Sequence, residues 1–193
     1  MKQKRPIKSA LRLIVSIYVG LIWALVASAD VQSVNDKQAV KVFESEVQEY
    51  VKLRNSVREN VPKLPKEATP EQIHTFMMAF QDATRAARSG AKPGEIFKPA
   101  ISEAIRATLK NHFRGEDRVE LRKTVFEAEN KSVPLRVNYP YPQSKEYTEM
   151  PPKLLLELPQ LPKELRYRFV GRNMLLMDRE NNLIVDYMVN ALP

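Results

Sequence analysis

The chain has 193 residues, with 31 Lys and Arg against 23 Asp and Glu, a formal charge of +8, and no cysteine. Lack of cysteine excludes a disulfide framework, a thiolate metal site and a cysteine nucleophile, so stability has to come from packing. Lys2, Lys4, Arg5, Lys8 and Arg12 stand in the first twelve residues, and the chain after residue 29 holds 26 basic and 23 acidic side chains, a net of +3, which removes the support for nucleic-acid binding that +8 would otherwise offer.

The basic flank is followed by an apolar run from Leu13 to Val26, broken only by Ser16 and Gly20, and then by Ala27-Ser28-Ala29. This is the order of a secretory signal peptide, and the small residues Ala27 and Ala29 predict cleavage just before Asp30. The expected location is therefore periplasmic or extracellular. A rival reading is an uncleaved anchor, because the apolar stretch counted from Leu11 approaches the ~20 residues that span a bilayer. No further spanning candidate follows residue 29, so membrane contact is expected only through the signal segment before cleavage. The remaining 164 residues are enough for one domain with an adequate core.

Val40, Phe43, Val47, Tyr50, Val57 and Val61 recur at alternating three- and four-residue spacings, with Arg54 interrupting the row, which predicts a long first helix over residues 35–61. Asn35 or Asp36 is its expected cap, and Pro62 and Pro65 stop it. Thr69-Pro70-Glu71-Gln72 opens a second helix with a capping box, and its buried face is expected to be Ile73, Phe76, Met77, Phe80, Ala83 and Ala87. A third helical stretch, Glu95 to Phe113, uses Phe97, Ile101, Ala104, Ile105 and Leu109, with Pro99 in its first turn or at a kink. After Gly115 a shorter, less regular helix is expected.

Seven of the fourteen prolines fall between Pro134 and Pro162, where long helices cannot run. Leu135 to Tyr139 reads as a strand, Asn138 to Pro142 as a rigid extended loop, and Pro152 to Leu158 as one or two helical turns. From Leu165 the period becomes two, with Leu165, Tyr167 and Phe169 buried opposite Arg166, Arg168 and Val170. A turn at Gly171-Arg172-Asn173, a return strand from Met174 to Met177, a polar turn from Asp178 to Asn182 and a strand from Leu183 to Met188 complete an antiparallel meander. The fold class is therefore α+β: a helical region of three to four helices over 30–130, a proline-rich connector over 131–164 and a β-meander over 165–193, with 30–193 one unit because three strands need a cover.

Leu161-Pro162, Leu165, Tyr167-Arg168-Phe169-Val170, Leu175-Leu176, Asp178 and Ile184-Val185-Asp186 resemble the closing hairpin of the RcnB-like family of periplasmic proteins, and also the ending of uncharacterised secreted bacterial proteins. The resemblance spans about the last thirty residues. It implies a periplasmic place and, through nickel and cobalt homeostasis, a metal response. The chain departs from that pattern in lacking a histidine-rich character, so no metal site is carried over.

The two histidines, His74 and His112, belong to no base-and-nucleophile motif, and no H-E-x-x-H, EF-hand, G-x-G-x-x-G or G-K-S/T pattern occurs. Glu44, Glu46, Glu49 and Glu59, like Glu116, Asp117 and Glu120, are paired carboxylates on paper and read as solvated helix faces. Asn130-Lys131-Ser132 is a sequon whose use depends on the compartment. No catalytic residue, metal ligand or cofactor is expected. Tyrosine and arginine in and after the proline-rich stretch suit a protein interface, and Tyr139, Tyr141, Arg166 and Arg168 are the candidate contact residues. The alternative is that the prolines make a connector whose tyrosines pack on the sheet. The leading functional expectation is an exported, non-enzymatic protein that binds another envelope or extracellular protein. A small-ligand or metal-response protein and an unrecognised hydrolase are the alternatives.

Overall fold

A computed structural model describes residues 35–113, 134–142, 145 and 147–192. The signal segment with Ala27, Ala29 and Asp30, the helix expected after Gly115, and the sequon lie outside the described residues. The chain divides into Met1–Gln38 and Ala39–Pro193. Of the first unit only residues 35–38 are described, as helix.

Helix α1 covers residues 35–59. Phe43, Val47 and Tyr50 lie at helical spacing and are buried in one stripe, as their periodicity predicts. Arg54 occupies the next position of that stripe and is only 5 % exposed. The interruption in the apolar row is thus a buried charge whose partner lies far along the chain.

Helix α2 runs Pro70–Ala87. Its capping box is formed: the Gln72 amide donates to Thr69 Oγ1 at 3.3 Å and the Thr69 amide donates to Gln72 Oε1 at 2.9 Å. Its buried residues are Phe76, Phe80, Gln81 and Thr84. The expected face is corrected here, since Ile73 is 47 % exposed and Ala87 is exposed. Two polar side chains take inner positions because α2 packs over a polar turn of the sheet, so Gln81 reaches the Asn181 carbonyl and Thr84 accepts from Asn181 Nδ2. Helix α3, Pro99–His112, starts with proline at its first turn, so Glu95 to Lys98 are not helical and Phe97 enters the core from a loop. The short helix α4, Pro152–Glu157, buries Leu154.

Four antiparallel strands stand in sequence order: β1 Thr148–Glu149, β2 Leu165–Val170, β3 Asn173–Asp178 and β4 Ile184–Met188. The predicted meander is β2–β4, and β1 adds a short edge, with Thr148 opposite Phe169. The strand expected over Leu135–Tyr139 is instead a turn, with a single bridge from Pro140 to Leu183. Asn138 lies at φ 65°, a conformation asparagine tolerates, and a strand cannot continue through it.

Strand alternation assigns two faces. Leu165, Tyr167, Phe169, Met174, Leu176 and Met188 meet Phe43, Val47, Ile101, Ile105, Leu109 and Leu154 in the main core. Val170, Leu175, Met177 and Ile184 form a second cluster on the opposite face, covered by Tyr141 with Leu135 and Tyr147. The proline-rich segment therefore acts as a strap: it is bonded to the start of β4 through the Asn138 amide and Ile184 carbonyl (2.8 Å), and to β2 through β1. This is why β3 is buried on both sides, a pattern the alternation in β2 alone does not foretell.

Candidate functional site

Two aspartates sit on the helix face of the sheet with no exposure. Asp178 Oδ2 accepts from Arg54 Nε at 2.7 Å and from the Tyr50 hydroxyl at 2.8 Å, and its Oδ1 accepts from the amides of Glu180 and Asn181. Burial opposes the Arg54 charge, but Asp178 and Glu180 together outweigh it and hold that guanidinium above its ordinary pKa. Burial first, then the Asp178 charge, pushes the Tyr50 phenol well up, so it stays protonated. Glu180, whose burial alone would raise it, is held below the usual carboxylate range by Arg58 and Arg54.

Asp186 accepts four backbone amides, from Gly94, Ile96, Phe97 and Tyr187, each at 2.8 Å. Its role is to order the loop before α3, and Gly94 at φ 83° supplies a turn other residues adopt only with strain. Both carboxylates are saturated by protein donors, which leaves no lone pair for a substrate or metal. Among the described residues no group of His, Cys, Asp and Glu is placed to hold a metal ion. His74 is exposed. His112 Nδ1 meets Glu157 Oε1 at 3.1 Å and joins α3 to α4. No serine or threonine hydroxyl among the described residues bonds to His112.

The four candidate contact residues do not form one patch. Tyr139 is 37 % exposed, with its ring under the guanidinium groups of Arg136 at 4.0 Å and Arg85 at 4.8 Å. It stands on a cleft of about 790 Å³ between the C-terminal half of α2 and residues 135–139, which Asp82, Arg85, Arg136 and Tyr187 also line. Arg85 is shared with Asp82 at 3.1 Å, whereas Arg136 makes no ion pair with any described residue. Tyr141 is only 1 % exposed and packs edge-on against Tyr147 at 5.9 Å, so its ring belongs to the second core. That corrects its expected surface role. The physical reason is that Val170, Leu175, Met177 and Ile184 would face water without it.

Arg166 and Arg168 lie on the strap face of β2, both over the Tyr147 ring at 5.6 and 5.2 Å. They line a second cleft of about 280 Å³ together with Lys163 and Arg179. Two signals for these clefts went unread in the chain. Arg85 follows Asp82 and precedes Arg88 at spacings of three, but nothing local ties them to Tyr139, fifty residues on. Lys163 and Arg179 flank β2 and β3, and only strand pairing gathers them with Arg166 and Arg168.

No helix among the described residues is long and apolar enough to cross a membrane. Comparison with protein-family models, with curated proteins and with solved structures returns no match for this chain.

Proposed function

We propose that this is an exported, non-enzymatic protein that binds a segment of another envelope or extracellular protein in the cleft at Tyr139. The order of basic flank, apolar run and Ala-Ser-Ala supports export. The observation that carries the binding role is Tyr139, a 37 % exposed ring in contact with the guanidinium groups of Arg85 and Arg136 and lining a 790 Å³ cleft. Tyrosine and arginine are the residues that most often carry interface energy, and a ring clamped in advance loses little freedom on binding. Arg136, without a carboxylate partner among the described residues, suits an acidic residue of the bound segment.

The test is photo-crosslinking from position 139 in the native compartment. One discrete adduct is expected, abolished by Arg136→Ala and absent when the crosslinker stands at exposed Lys110. Equal labelling from both positions, or none from 139, overturns the proposal. An intact mass beginning at Asp30 tests the export step separately.

A further inference from the structure

The second cleft carries an unusual charge balance. Lys163, Arg166, Arg168 and Arg179 line it, and no carboxylate is among its described lining residues. The guanidinium groups are held chiefly by neutral acceptors. Arg166 Nη2 donates to Asn182 Oδ1 at 3.0 Å, Arg179 Nε to the Leu165 carbonyl at 2.9 Å, and Arg168 Nη1 to the Tyr167 carbonyl at 2.9 Å. Such acceptors fix orientation without cancelling charge. Among the described residues the one acidic partner is Glu149, 3.0 Å from Arg168 Nη2 and with a side chain 79 % exposed, where an ion pair is weak.

Donors are also left over. Arg166 Nη1, both terminal nitrogens of Arg179 and Lys163 Nζ bond to no described residue, and Arg166 Nε and Arg168 Nε are buried without a hydrogen-bond acceptor. Burial, with the like charges of Arg168 and Arg179, holds Arg166 below the ordinary arginine value. Four cations gathered on one small concavity repel each other unless an anion joins them, and pinned guanidinium forks match the oxygens of a tetrahedral oxyanion.

We infer that the cleft bounded by Lys163, Arg166, Arg168 and Arg179 is a binding site for a phosphate group, distinct from the Tyr139 cleft. Its volume, 280 Å³, fits a small group better than a large ligand. Leu155 lines the same cleft at 44 % exposure and Leu156 follows at 88 %, on a short helix bounded by prolines. A phosphate carried on a lipid headgroup would bring acyl chains to those leucines, whereas a soluble phosphate ester would leave them in water.

The experiment is titration of the full exported chain with inorganic phosphate, followed by calorimetry, beside sedimentation with phosphatidylglycerol vesicles and with phosphatidylcholine vesicles. Saturable phosphate binding is expected, weakened about tenfold by Arg166→Gln or Arg179→Gln and unchanged by Arg136→Gln in the other cleft. Lys163→Gln removes an exposed group with no hydrogen bond to a described residue, so it tests the site with little risk to folding, and a smaller loss is expected. Sedimentation with phosphatidylglycerol alone, released by added phosphate, identifies the headgroup as the source. Saturable phosphate binding without sedimentation identifies a soluble one. Silence in the titration and with both vesicles overturns the inference, as does binding indifferent to all three substitutions on this cleft.

Discussion

On the helix face of the sheet Asp178 and Asp186 are charges with every lone pair engaged, while on the strap face Arg166 and Arg168 are charges left with few acidic partners. The helix face buries the larger apolar cluster and the strap face a smaller one, and the two manage charge in opposite ways. A saturated buried carboxylate specifies which elements meet, because only one arrangement brings Arg54 and Tyr50 to Asp178. The arginines of the strap face are bonded mainly to neutral acceptors, which orient them without cancelling their charge. The saturated carboxylates and the arginines held by neutral acceptors thus stand on opposite faces of one sheet.

The largest expected effect comes from breaking the first kind. Asp178→Ala removes the fully buried carboxylate from Arg54, leaving it Glu180, and takes the acceptor from the Tyr50 hydroxyl, and should cost about 3 kcal/mol in urea unfolding. Adding Arg54→Met should recover much of that loss, since a well-packed apolar pair replaces a buried ion pair at little net cost. A double variant no more stable than Asp178→Ala alone would show that the aspartate matters through its amide bonds instead.

The tyrosines divide along the same line. Tyr141→Ala removes a core ring and is expected to cost about 3 kcal/mol, whereas Tyr139→Ala should change stability by less than about 1 kcal/mol while abolishing the adduct formed from a crosslinker placed at Ser89, which lines the same cleft. Equal costs at the two positions would merge the strap into a purely structural element.

A smaller effect lies in pH dependence. Glu180 is depressed in the folded protein by Arg54 and Arg58, so its contribution is present above the unfolded carboxylate value of about 4.3 and is lost as pH falls through the lower, folded value. Glu180→Gln should lower stability modestly at neutral pH and flatten the profile below about pH 4.3, where the wild-type contribution is lost. Arg166→Gln, on the opposite face, should leave that acid slope as it is.

Much of the architecture was legible along the chain because it follows from local rules. The Thr69-Gln72 capping box, the proline stop after α1, the α4 turns between prolines and the period-two meander each depend on residues within a few positions of one another. The inner face of α2 and the turn at Asn138 were not legible. Asn138 adopts its positive φ while its side chain pairs with Arg88, which donates to Oδ1 at 2.6 Å and accepts from Nδ2 at 2.7 Å, fifty residues away in sequence.

For the candidate sites, residue type was readable and position was not. Tyrosine and arginine in the proline-rich half pointed to contact chemistry, but the same list mixed a core ring, a clamped surface ring and two members of a cationic cleft. By itself the sequence determined the helix and strand periods, the thiol-free core and the near-neutral balance after residue 29, since these are matters of spacing and count. Which charges are cancelled, which tyrosine meets solvent and where four cations converge were decided only by tertiary structure, because each is set by a partner brought close through folding and not by any neighbour along the chain.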